Sequence, residues 1–125
     1  MHGPVFLTAA LLPLIKKSSP ASVIFTVDSN NKAYWGNYAA TKAAIAATTV
    51  SLADELDADR DSNGALHVTC NAVSPKKMRS SLRSSAFPGE DPASVPTADN
   101  NVAAYLYLLG PSAREVNGKF INLST

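Results

Sequence analysis

The 125-residue chain has few of the residues that build disulfides, metal sites and phosphate-binding turns: one cysteine, two histidines and six glycines. The lone Cys70 cannot form an internal disulfide, which is typical of a reducing compartment and predicts a cytoplasmic protein. His2 and His67 lie far apart and lack the spacing of a metal site, so we expect no bound metal. No glycines match G-x-G-x-x-G, the pattern of a turn that receives a dinucleotide pyrophosphate.

Excess charge and long apolar runs are also missing. Lysine and arginine number 11 against 10 acidic residues, so no basic surplus points to nucleic acid. No apolar run is long enough for a membrane helix. The apolar start lacks the cationic residues of a signal peptide, because Lys16 and Lys17 follow it rather than precede it. With 46% hydrophobic and 17% charged residues, the sequence predicts a single globular domain over residues 1–125.

Apolar patterning and chain-breaking residues predict an alternation of helices and strands. The predicted helices cover residues 5–17, 36–56 and 98–109, with Thr97 as a cap for the last. The predicted strands cover residues 22–27, 66–73 and 119–123. Strands that alternate with helices indicate parallel β-α-β units. The fold class is therefore predicted as α/β, with about three parallel strands and three main helices on both faces of the sheet.

The segment 74–96 is predicted to be irregular, since it holds four prolines and many serines. A long irregular segment in a compact domain is more often functional than plain filler. It carries the one basic cluster of the sequence, formed by Lys76, Lys77, Arg79 and Arg83. These side chains could be solvated, or they could contact a ligand phosphate, and the sequence leaves both possibilities open.

Tyr38 and Lys42 form the most informative pair in the sequence. Residues four apart lie on the same face of a helix, here the predicted helix 36–56. The pKa of a free tyrosine is about 10, and a nearby cation lowers it by favouring the phenolate. Such a pair can act as a general acid or base on an alcohol. An ordinary amphipathic helix can also carry this pair on its surface, so the two residues alone do not settle their role.

The motifs around this pair resemble the classical short-chain dehydrogenase/reductase family. Tyr38-Ala-Ala-Thr-Lys42 stands early in an alanine-rich helix after a strand and a polar loop. Asn71-Ala-Val-Ser-Pro75 is similar to the strand that leads into the Pro-Gly motif of the family. Residues 78–92 are similar to the substrate loop of one bacterial branch. The resemblance spans nearly the whole chain and implies the C-terminal portion of a Rossmann-like, doubly wound parallel sheet.

This resemblance implies hydride transfer between NADP or NAD and a small alcohol or ketone. Tyr38 would act as the acid/base, and Lys42 would lower its pKa and hold the ribose hydroxyls. A serine would hydrogen-bond the substrate oxygen. Tyr34 and Trp35 could line a substrate pocket or simply pack the loop. Candidate contacts to the cofactor are Tyr38, Lys42, Pro75, Lys76, Met78 and Ser80.

The sequence departs from the family pattern at four places. The chain is about half the usual length, so the Gly-rich half and the catalytic asparagine are expected to be absent. The position of the catalytic serine falls on Asp28, although the adjacent Ser29 could take its place if the loop shifts. A carboxylate at that position would oppose formation of the Tyr38 phenolate. Lys76 replaces the glycine of the Pro-Gly motif, and Ser80 replaces a common threonine.

These departures keep a second interpretation open. The chain could be a truncated, inactive fragment or pseudoenzyme that acts at most as an association module. In the family, the helices that correspond to residues 5–17 and 36–56 usually form a dimer interface. The resemblance therefore implies a homo-oligomer that uses these two helices, whether or not the chemistry is retained. This chain alone is expected to bind NADP or NAD weakly or not at all.

Overall fold

The computed structural model describes residues 2–18, 20–28, 36–60 and 64–123. Its strands are β1 (Ala21–Thr26), β2 (Val68–Ser74) and β3 (Phe120–Asn122). Its α-helices are α1 (His2–Lys17), α2 (Gly36–Asp57), α3 (Ser81–Ala86) and α4 (Val102–Leu109). Short 3-10 turns cover Pro92–Ser94, Ala98–Asn101 and Pro111–Ala113. The predicted α/β class and the alternation of helices with strands are confirmed.

The sheet is parallel, with β2 between β1 and β3. Thr26 at the end of β1 pairs with Val73 near the end of β2, so the two strands end at the same edge. All seven residues of β2 are buried. A parallel strand with neighbours on both sides and helices on both faces has no exposed surface, which explains why β2 carries no charged residue, although Thr69, Asn71 and Ser74 are polar.

Alternate residues of the strands face opposite helix layers. Phe25, Cys70 and Ala72 pack in one buried cluster with Ile45 of α2, and Leu12 of α1 lies against it. The opposite face carries a second cluster. There Val73 and Ile24 of the sheet pack with Leu108 and Tyr105 of α4. Helices therefore cover both faces, as the sequence predicts for a doubly wound sheet.

The segment 74–96 is more ordered than the prediction, which was wrong to treat it as irregular throughout. The Ser80 side chain accepts the backbone N–H of Arg83 at 3.1 Å and caps helix α3. The Arg83 guanidinium donates to both carboxylate oxygens of Glu90, at 2.9 and 3.0 Å, and lies 3.9 Å from the centre of the Phe87 ring. A six-residue helix held by such local contacts has no apolar periodicity that a sequence could show.

Two helix boundaries also differ from the prediction. Helix α1 ends at Lys17 as predicted, with Pro13 inside it, but it begins at His2 rather than at residue 5. Thr97 precedes a 3-10 turn rather than an α-helix, and its side chain makes no capping hydrogen bond. Regular α-helix begins only at Val102. None of the helices in the described ranges is both long and apolar enough to cross a membrane.

Candidate active site

The candidate site lies at the edge of the sheet where β1 and β2 end. The backbone N–H of Val27 donates to the carbonyl of Val73 at 2.9 Å, so the pairing of the two strands continues past Thr26. Asp28 follows one strand, and Pro75 follows the other. In open α/β sheets, ligands bind outside the carboxyl ends of the strands. The residues that the sequence singled out at 28 and 75 therefore lie at the same edge of the sheet.

Tyr38 reaches this edge from the first turn of α2. Its hydroxyl donates a hydrogen bond to Oδ2 of Asp28 at 3.2 Å. The Tyr38 side chain is 39% exposed, and Asp28 is half-buried. The structure therefore brings together a phenol that can move a proton and a carboxylate that lies next to that proton.

Lys42 follows one helical turn later and lies beside the same phenol. Its Nζ is 5.8 Å from the centre of the Tyr38 ring. The same Nζ donates to the backbone carbonyl of Thr26 at 3.5 Å, which is long for a hydrogen bond. The ammonium is thus held near the end of β1 as well as near Tyr38. Asp28, Tyr38 and Lys42 form one cluster, which we call the edge triad.

The pKa of Tyr38 is raised above its ordinary value of 10.0. Partial burial is the largest cause, followed by the charge of Asp28 and by the hydrogen bond to its carboxylate. The Tyr38–Lys42 spacing alone predicts a lowered pKa, and the structure reverses that direction. Asp28 touches the hydroxyl itself, whereas the Lys42 ammonium lies beside the ring. The phenol therefore keeps its proton at neutral pH, which suits a proton donor.

The backbone of Lys76, next to the candidate site, is held by the side chain of Asn101. The Lys76 N–H donates to Oδ1 of Asn101 at 2.8 Å, and Nδ2 of Asn101 donates back to the Lys76 carbonyl at 3.2 Å. Asn101 is buried, with 3% of its surface exposed. This side chain fixes the segment after Pro75, and sequence reasoning missed it because the two partners are 25 residues apart. The available signal was an asparagine at the start of a helix, where its amide can bond to backbone groups.

The other residues proposed from sequence are placed less decisively. Met78 is half-buried in the coil before α3, and Ser80 is occupied as the cap of that helix. Ser29, Tyr34 and Trp35 lie outside the described residues. The structure therefore adds only a capping role for Ser80 to the sequence hypotheses on these positions.

The arginines and the lysines of the basic cluster have different surroundings in the structure. Arg79 donates to the carbonyls of Pro92 and Val95, at 3.0 and 3.3 Å. The Arg83 guanidinium is paired with Glu90. Both arginines thus organise the loop from within, whereas the side chains of Lys76 and Lys77 are exposed.

Two buried groups on β2 bear on the chemistry of the site. Cys70 is fully buried, and burial raises the pKa of its thiol to about 12, so it cannot serve as a thiolate nucleophile. Ser74 lies at the end of the same strand, and its hydroxyl is buried without a hydrogen-bond partner among the described residues. Across those residues, no group of three or more His, Cys, Asp or Glu side chains could hold a metal ion.

The comparisons with known proteins agree on one family. The model of the family described as short chain dehydrogenase matches residues 1–91. The oxidoreductase YciK of Escherichia coli (strain K12) is 39% identical over 121 residues, which are 94% of this chain and 45% of YciK. A short chain dehydrogenase structure from Pseudomonas syringae is 38% identical, with a TM-score of 0.82, over 93% of this chain and 46% of that one.

A cofactor-bound relative is also similar. The short chain dehydrogenase from Escherichia coli CFT073, complexed with NADPH, is 36% identical with a TM-score of 0.81. The match covers 93% of this chain and 46% of that structure. The chain therefore spans about half the length of the relatives it matches.

Proposed function

The chain belongs to the short chain dehydrogenase family of oxidoreductases, and we propose that it interconverts an alcohol and a ketone by hydride transfer with NADP or NAD. The observation that carries this proposal is the edge triad. Its phenol and ammonium stand one helical turn apart at the carboxyl edge of a parallel sheet. This edge is where an open α/β sheet binds its ligand.

Tyr38 supplies the proton chemistry in this proposal. In the reduction, its O–H donates a proton to the carbonyl oxygen, and in the oxidation the phenolate takes that proton back. The nicotinamide cofactor, when bound, supplies or accepts the hydride. Tyr38, whose pKa is raised, is protonated at neutral pH, which is the form that the reduction requires.

The donor groups at the edge fit the ribose and nicotinamide end of such a cofactor. The Lys42 ammonium would donate to the ribose hydroxyls, and the backbone after Pro75, held by Asn101, would border the nicotinamide. The pyrophosphate needs backbone N–H groups at a Gly-rich turn and a helix N-terminus. The sequence of the 125 residues holds no such glycine pattern. The described residues therefore suit only the ribose and nicotinamide end of the cofactor. The use of a nicotinamide cofactor itself is supported by relatives that are complexed with NADPH and NADP.

We expect the purified 125-residue polypeptide to bind NADPH more weakly than about 10 μM, which corresponds to roughly −7 kcal/mol. The contacts of the edge triad reach only part of the cofactor, so much of its usual binding energy is missing. Titration followed by NADPH fluorescence measures the affinity. A tighter complex would mean that the chain binds the pyrophosphate by another route.

Ketone-dependent oxidation of NADPH tests the function itself. The protein is mixed with NADPH and a panel of small ketones, and the loss of NADPH absorbance is followed. Turnover that depends on Tyr38 supports the proposal. A folded protein that oxidises no NADPH with any ketone would leave only the second candidate function.

That second candidate, an association module, is supported by the surface of α1. Phe6, Leu7, Leu11 and Leu14 are all exposed on this helix, and Val50 is exposed on α2. Residues seven apart, such as Leu7 and Leu14, lie on one helix face. Contiguous apolar surface of this kind is typical of protein contacts. A homo-oligomer that buries α1 and α2 is therefore proposed alongside the oxidoreductase function, and the two are compatible.

We expect the double substitution Leu7→Glu, Leu14→Glu to shift the protein toward monomer. It places two charges on a surface that would be desolvated in the oligomer. Light scattering at about micromolar concentration, well above a typical nanomolar affinity, measures the mass. Leu82→Glu on α3 is the matched control, because Leu82 is just as apolar and is 73% exposed. An unchanged mass for the double variant, or an equal effect of the control, would rule out this surface.

A further inference from the structure

A cavity of about 300 Å³ lies at the edge of the sheet opposite to the edge triad. It is formed where β1 and β2 begin and where α4 ends, so Ser22 and Thr69 line it from the strands and Leu109 lines it from the helix. The edge triad lies where the same two strands end. The cavity is therefore separate from the proposed oxidoreductase site, and its volume is at the lower end of the range for small-molecule pockets.

Apolar side chains form part of the cavity wall. Leu66, Leu109, Pro20 and Pro111 all line it. Pockets for small molecules combine such a wall with a few polar groups that fix the orientation of the ligand. An engineered apolar cavity of about 150 Å³ holds benzene. The cavity at this edge therefore has room for a ring that carries a substituent.

Arg114 supplies the one charge among the described residues that line the cavity. Its guanidinium makes no hydrogen bond and no ion pair with another residue in the described part of the chain. The adjacent carboxylate of Glu115 is bound to Arg60 at 3.1 Å. A guanidinium binds a carboxylate through two parallel N–H···O bonds. The cavity thus presents a pair of donors that suits an organic carboxylate.

An arginine that follows a helix can instead bind the last carbonyl groups of that helix. At the end of α4, the Tyr107 carbonyl accepts the Gly110 N–H at 3.2 Å. The Leu108 carbonyl accepts the Ser22 hydroxyl, also at 3.2 Å. Other groups therefore occupy these two carbonyls, and the Arg114 guanidinium remains available to a ligand.

The two hydroxyl groups of the lining limit the charge of that ligand. The Thr69 hydroxyl donates to Oγ of Ser22 at 3.3 Å, and the Ser22 hydroxyl donates to the Leu108 carbonyl. Both hydroxyl protons are thus engaged, and only oxygen lone pairs face an additional group. Lone pairs repel a second anionic group. We propose that the cavity binds a small monocarboxylate with an apolar body, rather than a dicarboxylate or a phosphate.

Benzoate is the probe for this site, and the binding is followed by NMR of the ¹⁵N-labelled protein. We expect benzoate to shift the backbone amides of Ala21, Ser22, Thr69, Gly110 and Arg114, with a Kd of about 1 mM. Benzyl alcohol has a similar size but no charge, so it should bind about tenfold more weakly. Inorganic phosphate at the same ionic strength should leave these amides unshifted.

Three variants separate the charge from the apolar wall. Arg114→Gln removes the guanidinium charge and should weaken benzoate by about tenfold, with little effect on benzyl alcohol. Lys119→Gln is the matched control, because Lys119 is also exposed but does not line the cavity. Leu109→Ala removes apolar contact from the wall and should weaken both probes to the same degree.

Four results would overturn the inference. They are the absence of shifts at these amides with benzoate, equal affinity for benzoate and benzyl alcohol, wild-type affinity in Arg114→Gln, and phosphate binding as tight as that of benzoate. None of these results bears on the proposed oxidoreductase function, since the edge triad lies at the other edge of the sheet.

Discussion

Replacing Tyr38 with phenylalanine is expected to lower kcat by about 10²–10⁴-fold, the range for loss of a general acid or base. The substitution removes only the hydroxyl that bonds to Asp28. The ring beside the Lys42 ammonium stays in place. Since the Tyr38 side chain is already partly exposed, stability should change little. This variant therefore separates an effect on kcat from an effect on the stability of the fold.

Ketone-dependent NADPH oxidation and thermal unfolding are the two measurements. Tyr107→Phe is the matched control, since Tyr107 lies on α4 and is similarly exposed. The Tyr107→Phe variant also loses a tyrosine hydroxyl, but at a position outside the edge triad. A Tyr38→Phe protein that keeps most of its kcat would show that this phenol does not carry the proton. An equal loss in Tyr107→Phe would point to a general effect of removing a tyrosine hydroxyl.

Replacing Leu108 with alanine is expected to lower the free energy of unfolding by about 2–5 kcal/mol. Leu108 is fully buried and packs against Val73 and Ala113 in the cluster between α4 and the sheet. Its truncation removes apolar contacts and leaves a cavity that the sheet cannot fill. The backbone carbonyl of Leu108 also accepts the Ser22 hydroxyl at 3.2 Å, which holds the helix close to β1.

Urea unfolding followed by circular dichroism measures the loss. Leu109→Ala is the control in the neighbouring position, where the side chain is 60% exposed. It should change the stability by no more than about 0.5 kcal/mol, as is usual for surface substitutions. Similar losses for both variants would contradict the packing of α4 on this face of the sheet.

Much of the fold could be predicted from the sequence because its signals are local. β-Rich runs between turn signals identified the three strands found in the described residues. The alternation of these strands with helices indicated a parallel sheet. Helix α3 could not be predicted, because it depends on the Ser80 cap and on the Arg83–Glu90 pair rather than on periodicity. Short elements of this kind are decided by contacts that sequence patterns do not display.

The same distinction between local signals and tertiary contacts applies to the candidate site. The Tyr38–Lys42 spacing and the place of Asp28 could be read from the chain, since a helical turn and the end of a strand are local features. The sequence also indicated that a carboxylate at residue 28 would oppose the Tyr38 phenolate, but only the tertiary structure placed Asp28 against the phenol, where it helps to raise the Tyr38 pKa. It alone also brought Asn101 to the backbone of Lys76. The spacing of residues in a chain determines which side chains share a helix face, whereas the packing of α2 and α4 on the sheet decides which distant groups meet and how their charges act.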